Sequence, residues 1–146
     1  MKKTISIPKK EFDRIFARVP RLCVEILITD PRKGVLLTKR SIEPAKGKWH
    51  LPGGTVRFKE RLANTVKRVA FTETGLKVTP ESMIGFIEFH NFKGYKGHPI
   101  SICFKAKSVG GSLRHDDTAS DIGFFKKIPS RMIKEHKKFI IDNINL

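Results

Sequence analysis

The sequence predicts a single domain of the α/β class. Its 146 residues suit one domain with a core of two or three layers. An apolar fraction of 39%, with eleven Phe and one Trp, argues against a disordered chain. Runs with strand character alternate with segments that carry helical spacing or helix end signals, and residues 1–146 show no internal repeat and no second domain.

The first predicted element is a short helix over about residues 8–18. Pro8 suits a helix start, Phe12, Ile15 and Phe16 form one apolar stripe, and Pro20 follows the end. This apolar stripe must pack against something, and a partner subunit is one candidate.

A β-hairpin follows this helix. Residues 22–29 and 35–40 are β-rich, and the turn sequence Asp-Pro-Arg-Lys-Gly separates them. Residues 41–56 then read as a loop rich in Pro, Gly and Lys, which closes with Pro52, Gly53 and Gly54. Because glycine lacks a side chain, the backbone can approach a ligand there and offer a carbonyl to an ion.

A longer helix is expected over about residues 59–74. Leu62, Val66 and either Val69 or Ala70 face inward at helical spacing, and Gly75 suits the C-terminal cap. This places Glu73 in the last turn, near the glycine loop.

The second half of the chain contains three more strands and a final helix. Strands are expected at residues 83–92 and 100–109, joined by a loop at 91–98, and a short strand at 122–125. A loop after Gly110 and Gly111 holds Arg114, His115, Asp116 and Asp117. The C-terminal helix, about 130–143, carries an apolar stripe with one histidine: Met132, Ile133, His136, Phe139 and Ile140.

Charge and cysteine content narrow the partners and the compartment. Thirty Lys and Arg against fourteen Asp and Glu give a net charge of +16, which attracts polyanions or simply solvates the surface. Cys23 and Cys103 lie in apolar runs and are expected to pack in the core as thiols. No run approaches the length of a membrane span, so a soluble cytoplasmic protein is expected.

Five residues carry the most specific pattern in the chain. Gly54, Glu60, Arg68, Glu73 and Gly75 fit the spacing G-x5-E-x7-R-x4-E-x-G. This spacing resembles the Nudix box, and the resemblance extends over about residues 8–129. It implies a Nudix-type α/β/α sandwich with a mixed central sheet, in which residues 54–76 form a loop-helix-loop that holds a divalent cation against a diphosphate.

Two acidic positions of the usual box are replaced. Val69 and Thr72 stand where the family has carboxylates, and on a helix they share one face with Glu73. One remaining carboxylate suits a single Mg²⁺ that the diphosphate of the substrate helps to hold, with Mn²⁺ as an alternative. The same two losses mark the GDP-mannose mannosyl hydrolase branch, which attacks the sugar carbon and releases GDP.

The resemblance also assigns candidate roles around the box. Gly54, through its carbonyl, and Glu73 are the expected metal ligands. Glu60 and Arg68 are expected to form a structural ion pair, with a place next to the metal as the alternative. Arg40 is expected to bind the diphosphate and to stabilise the departing GDP. Glu25 either touches the glycosyl hydroxyls or is a buried or edge glutamate.

The general base is the least defined role. His115, beside Asp116 and Asp117, resembles the His-Asp-Asp of the mannosyl hydrolase branch, and His accepts a proton near neutral pH. An ordinary loop histidine is the alternative. Two departures concern the substrate: Thr55 replaces an arginine of the branch, so Arg57 is the candidate substitute, and the tyrosine of the branch has no clear match, since Tyr95 lies in a loop.

Three functions remain open at this level. The leading one is Mg²⁺-dependent hydrolysis of a nucleotide sugar at the sugar carbon, with a small-molecule nucleotide as partner and, by resemblance, a homodimer. The second is P–O hydrolysis of a nucleoside di- or triphosphate derivative. The third is a non-catalytic module that binds nucleotide or RNA through basic residues, although the scattered lysines do not favour nucleic acid.

Overall fold

The computed structural model describes residues 6–89 and 97–144. In these two ranges the chain forms three helices and seven strands: α1 Lys9–Phe16, β1 Arg21–Asp30, β2 Gly34–Arg40, β3 Trp49–His50, β4 Gly53–Thr55, α2 Leu62–Thr74, β5 Leu76–Glu88, β6 Pro99–Gly111, β7 Ala119–Phe125 and α3 Lys134–Asn143. The end of the strand predicted at 83–92 and most of the loop predicted at 91–98, including Tyr95, lie outside the described residues.

The strands form one mixed sheet, as predicted. Its main order is β3-β2-β1-β6-β5, β4 pairs with β1, and β7 pairs with β2. The β1–β6 pair is parallel and the other pairs are antiparallel. Since β1 pairs with β2 only next to the hairpin turn, the two strands separate beyond it and leave space for β4 beside β1.

Helices cover both faces of this sheet. In β1, Val24, Ile26 and Ile28 pack in a cluster with Val66 and Ala70 of α2. The alternate residue Leu27 packs in a second cluster, which contains Phe139 and Ile140 of α3. Because successive side chains of a strand point to opposite faces, β1 is apolar on both sides. The α/β/α sandwich is therefore confirmed.

The helix α2 begins at Leu62, three residues later than predicted. Lys59 has a φ of 61°, which a right-handed helix does not allow, and Arg61 is the extended N-cap residue. Residues 57–60 form a turn in which the Glu60 N–H donates to the Arg57 carbonyl at 3.0 Å. The predicted C-terminal end holds, since Gly75 has a left-handed φ of 74°.

The strand β5 begins at Leu76 rather than at residue 83. Pro80 argues against a central strand, but β5 lies at the edge of the sheet, where a missing N–H is tolerated, and its pairing with β6 is irregular between Pro80 and Ser82. Residues 41–56 are likewise not only a loop, because they contain the short strands β3 and β4.

The C-terminal helix begins at Lys134, whereas about 130 was predicted. Ile133 has an extended ψ of 125°, and its N–H donates to the Trp49 carbonyl at 3.0 Å. Met132 forms an isolated bridge with Trp49. These residues continue the sheet beside β3, which brings the start of α3 next to the loop between β3 and β4.

Candidate active site

A cleft of about 300 Å³ gathers most of the predicted site residues. It is lined by side chains and backbone from five strands and two helices, with Glu25, Arg40, His50, Gly53, Gly54, Glu73, Ser101 and His136 among them. A larger cavity of about 620 Å³ lies beside Leu27, Asp30, Lys105 and Lys126, but no residue of the box 54–76 lines it. The smaller cleft is therefore the candidate active site.

Two carboxylates converge on Gly53. The Gly53 N–H donates to Glu73 Oε2 at 3.1 Å. A β-carbon built on Gly53 would lie 1.9 Å from Glu25 Oε2, so only glycine permits the Glu25 side chain to occupy this place. The antiparallel pairing of Glu25 with Gly53 in β1 and β4 sets this approach.

Gly54 makes a different close approach. A β-carbon there would lie 2.9 Å from Val69 Cγ2, and Val69 is buried at 3% exposure. Val69 thus fills the space between α2 and β4 with two methyl groups, while Thr72 is exposed. Of the three helix positions that share one face, only Glu73 presents a charged group to the cleft.

Burial raises the pKa of both carboxyl groups in the cleft. The pKa of Glu73 rises to about 8, chiefly because burial penalises its charged form, while the Gly53 N–H and the positive charges of Arg40 and Arg68 act in the opposite direction. The pKa of Glu25 is also raised well above its usual value by burial, although Ser101 Oγ donates to Glu25 Oε1 at 3.0 Å. Two such carboxyl groups, Glu25 buried and Glu73 part-buried, are suitable ligands for a cation.

Arg40 supplies positive charge to the same cleft. Its Nε donates to the Pro44 carbonyl at 2.6 Å, which ties the guanidinium to the 41–48 loop. Its charge lowers the pKa values of Glu25 and Glu73 and of His50. A guanidinium in this position can form charge-assisted hydrogen bonds with a diphosphate.

Glu60 and Arg68 hold the loop before α2 without lining the cleft. Arg68 donates to Glu60 through Nε at 2.8 Å and through an Nη atom at 2.9 Å, and it also donates to the Thr55 carbonyl at 2.9 Å. Glu60 also accepts from the Thr65 hydroxyl at 2.7 Å and the Arg57 N–H at 3.2 Å. These bonds join β4, the 57–60 turn and α2, so the pair positions the loop that carries Gly54.

Two histidines complete the cleft, and sequence reasoning gave neither a role in the site. The His50 Nδ1–H donates to the Leu51 carbonyl at 2.6 Å, which leaves Nε2 to accept from the Thr38 hydroxyl at 3.0 Å. His136 Nδ1 accepts from the Leu51 N–H at 3.0 Å. Burial lowers the pKa of His50 to about 4 and the pKa of His136 well below its usual value, so both rings are neutral.

Residues 19–139 of the chain match the NUDIX domain, and this match shows the family. The chain belongs to the NUDIX family. It is 36% identical over 130 residues to the low-salt glycan biosynthesis protein Agl8 of Haloferax volcanii, covering 86% of this chain and 83% of that protein. It is 34% identical over 125 residues to an ADP-ribose pyrophosphatase of Methanocaldococcus jannaschii, covering 84% of this chain and 72% of that protein.

Solved structures support the same fold. A MutT Nudix hydrolase from Burkholderia pseudomallei superposes with a TM-score of 0.75 at 22% sequence identity, covering 88% of this chain and all of that one. The chain is thus a Nudix hydrolase by family and by fold. Nudix hydrolases use a divalent metal ion such as Mg²⁺ and bind nucleotide substrates.

The Nudix cleft contains few candidate ligands for a metal ion. Over residues 6–89 and 97–144, no group of three or more His, Cys, Asp or Glu side chains is arranged to hold a metal. The available donors are the Glu73 carboxylate, the nearby Glu25 carboxylate and backbone carbonyls of the Gly53–Gly54 segment. These oxygen donors suit a hard cation whose remaining ligands are water and substrate phosphate.

The structure does not bring His115 or Arg57 into this cleft. His115 is exposed, with Nδ1 3.0 Å from the Asp116 carbonyl, and neither His115 nor Arg57 lines the cleft. The loop itself is close, because Arg114 donates to the Phe71 and Thr72 carbonyls at the end of α2. The negative charge of Asp116 in this loop contributes to the raised pKa of Glu73.

The remaining expectations concern the cysteines and the membrane. Cys23 and Cys103 are both free and buried, as predicted, and burial raises the pKa of Cys23 to about 11. Among the helices of the described residues, none has the length and apolar character needed to cross a membrane.

Proposed function

We propose that this Nudix hydrolase cleaves a nucleotide sugar, such as GDP-mannose or GDP-glucose, at the sugar carbon in a Mg²⁺-dependent reaction. The observation that carries the proposal is the packing of Val69 against Gly54. A buried valine at this position leaves Glu73 as the one charged ligand that the helix face offers. The relative from Haloferax volcanii, whose name refers to glycan biosynthesis, supports a substrate that carries a sugar.

In this proposal the residues of the cleft divide the work. Glu73 and the Gly54 carbonyl hold the ion, which neutralises charge on the diphosphate when it is bound. Arg40 binds the diphosphate and stabilises the charge that develops as the C–O bond breaks. Glu25 faces the same space, with one oxygen held by Ser101, and can accept a hydrogen bond from a glycosyl hydroxyl.

The proposed hydrolysis also requires a general base. His115 is the candidate carried over from the family resemblance, and its loop is tied to the end of α2 near Glu73. In the described arrangement its side chain does not line the cleft. A role as base therefore requires the 114–118 loop to turn toward the substrate, and otherwise passes to Asp117, Asp121 or another histidine.

A second candidate is pyrophosphohydrolysis, which breaks a P–O bond. The relative from Methanocaldococcus jannaschii, which is named ADP-ribose pyrophosphatase, favours it. So does the convergence of Glu25 and Glu73 on Gly53, because it supplies one more carboxylate near the ion than the box alone predicts. A non-catalytic module that binds nucleotide or RNA is supported only by the net charge of +16.

Hydrolysis in ¹⁸O-labelled water separates these functions. The purified protein is incubated with Mg²⁺ and, in separate reactions, GDP-mannose, GDP-glucose, ADP-ribose and nucleoside triphosphates, and product masses are read. We expect GDP and a free sugar that carries the label. Label in a phosphate product would establish P–O cleavage instead. Absence of turnover across the panel would leave an unsampled substrate or the binding module.

A further inference from the structure

His136 is a buried histidine that the proposed reaction does not use. It lies in the first turn of α3, it is 3% exposed, and it lines the cleft. The Leu51 N–H donates to its Nδ1, so Nδ1 has no proton and the neutral ring carries its proton on Nε2. Nε2 is therefore the hydrogen-bond donor of the His136 ring.

This Nε2–H has no protein acceptor in the described parts of the chain. Within residues 6–89 and 97–144, the hydrogen bond with Leu51 is the one that the ring makes, and its other contacts are with aromatic rings. Nε2 is not one of the fully buried polar atoms without a partner in the described residues, and His136 lines the cleft, so this N–H is open to the cleft. A fixed donor that faces an open cleft without a protein acceptor fits a place where a ligand supplies the acceptor.

The surroundings of His136 indicate which part of a ligand it meets. The Phe89 ring lies 5.3 Å from the imidazole, and Ile133 and Pro99 line the same cleft. These apolar side chains suit the face of a ring. The formal charges that suit a metal ion and a diphosphate belong to Glu73 and Arg40, whereas His136 offers a neutral donor. An uncharged oxygen is its natural partner.

We infer that His136, with Phe89 and Ile133, forms a subsite for the uncharged part of the substrate, where Nε2–H donates to a hydroxyl or carbonyl oxygen. The inference rests on the proposed function, because it places the diphosphate at Glu73 and Arg40. The shared chemistry of the two sources, a sugar hydroxyl or a base carbonyl, is an uncharged oxygen on a ring. His136 is a specificity-determining residue in this arrangement and takes no part in bond cleavage.

The test uses His136→Asn, whose amide oxygen takes about the position of Nδ1 and keeps an acceptor for Leu51 while the Nε2–H is removed. Three probes are compared in Mg²⁺: inorganic pyrophosphate and GDP as inhibitors, and GDP-mannose as substrate. We expect about a tenfold rise in KM for GDP-mannose with an unchanged Ki for pyrophosphate. Lys137→Ala, on the exposed side of α3, is the matched control and should change neither constant.

The GDP arm identifies the source of the acceptor. An unchanged Ki for GDP assigns the contact to the sugar, and a Ki raised as much as the KM assigns it to the base. Equal weakening of all three probes, or an unchanged KM, overturns the inference. If wild type neither turns over GDP-mannose nor is inhibited by GDP, the proposed function fails first and the subsite fails with it.

A measurement on the wild-type protein guards against a variant that folds poorly. ¹⁵N NMR of the histidine side chains reports the tautomer and the environment of Nε2. We expect the His136 Nε2–H signal to shift when the ligand that retains the contact, GDP-mannose or GDP, is added, and to stay in place with pyrophosphate. A signal that responds equally to all three, or to none, contradicts the subsite.

Discussion

Glu60 and Glu73 belong to the same box, and the protein treats their charges in opposite ways. Glu60 receives hydrogen bonds from Arg68, Thr65 and the Arg57 N–H, which hold its pKa at about 2. Glu73 receives one from the Gly53 N–H, and burial raises its pKa to about 8. Within the fold, Arg68 neutralises the charge of Glu60. A charge on Glu73 would instead be neutralised by a bound cation.

This difference separates a structural carboxylate from a binding one. A buried carboxylate is costly unless it is paired, and the cost falls when a cation arrives. The free-energy cost of an unpaired carboxylate is present at Glu73, which lies beside Glu25. It is absent at Glu60, whose charge is paired within the loop before α2. Substitutions at the two positions should therefore affect different measurable quantities.

The largest expected effect is on turnover in Glu73→Gln. Since the amide cannot supply the charge that holds the ion, we expect Mg²⁺-dependent turnover to fall by roughly a thousandfold. The unfolding midpoint without Mg²⁺ should not decrease, because the amide has the size of the carboxyl group and keeps an oxygen that accepts from the Gly53 N–H. Steady-state kinetics and thermal unfolding measure the two effects. Undiminished turnover would remove Glu73 as a ligand, and Glu81→Gln, on the exposed side of β5, is the control.

Glu60→Gln should show the opposite profile, with a large loss of stability. The pKa of Glu60 falls from 4.5 to about 2 on folding, so its contribution is present above pH 4.5 and is lost as the pH falls toward 2. At about 1.4 kcal/mol per pH unit this difference corresponds to about 3.5 kcal/mol. Because the Arg68 side chain is 26% exposed and solvent screens the pair, we expect the variant to be about 2–3 kcal/mol less stable at pH 7.

Urea unfolding between pH 7 and pH 2 checks this prediction. The difference in unfolding free energy between wild type and Glu60→Gln should shrink steadily below pH 5. A difference that stays constant with pH would mean that the carboxylate charge is not the source of the stability. Glu81→Gln again serves as the exposed control.

Added Mg²⁺ should sharpen the contrast between the two glutamates. A ligand that binds only the folded state stabilises it by about 1.4 kcal/mol at ten times its Kd, which raises the Tm by about 4 °C for a chain of this size. We expect this rise in wild type and in Glu60→Gln but not in Glu73→Gln. Thermal unfolding with a MgCl₂ series measures it. Equal rises in all three proteins would locate the ion away from Glu73.

The local features around Glu60 and Glu73 were largely predicted correctly from the sequence. Apolar spacing predicted α2, Gly75 predicted its end, and the resemblance to the Nudix box predicted the ion pair between Glu60 and Arg68. The predicted start of α2 was wrong because Lys59 adopts a left-handed backbone conformation. Lysine is not a residue type that signals such a turn in a sequence. The strands β3 and β4 were missed because two or three residues are too short for periodicity, and their stability comes from pairing with distant strands.

Long-range contacts explain what the sequence could not give for the site. Glu25 reaches Gly53 through the β1–β4 pairing, and it accepts from Ser101, 76 residues away. His136 is joined to Leu51 across 85 residues, and its place in an apolar stripe made it look like core. The spacing of residues along the chain does not reveal contacts between residues that are so far apart in the sequence. Sequence resemblance likewise favoured His115, whose side chain the fold leaves exposed.

His115→Ala therefore has the smallest expected effect. Because this side chain does not line the cleft, we expect kcat and KM to stay within about threefold of wild type, with an unchanged pH profile near neutrality. The profile of kcat/KM between pH 5 and pH 9 is the measurement. A profile that flattens would show that the 114–118 loop turns inward during catalysis and that His115 is the base. An unchanged profile moves the search to Asp117, Asp121 or another histidine, and leaves the contrast between Glu60 and Glu73 intact.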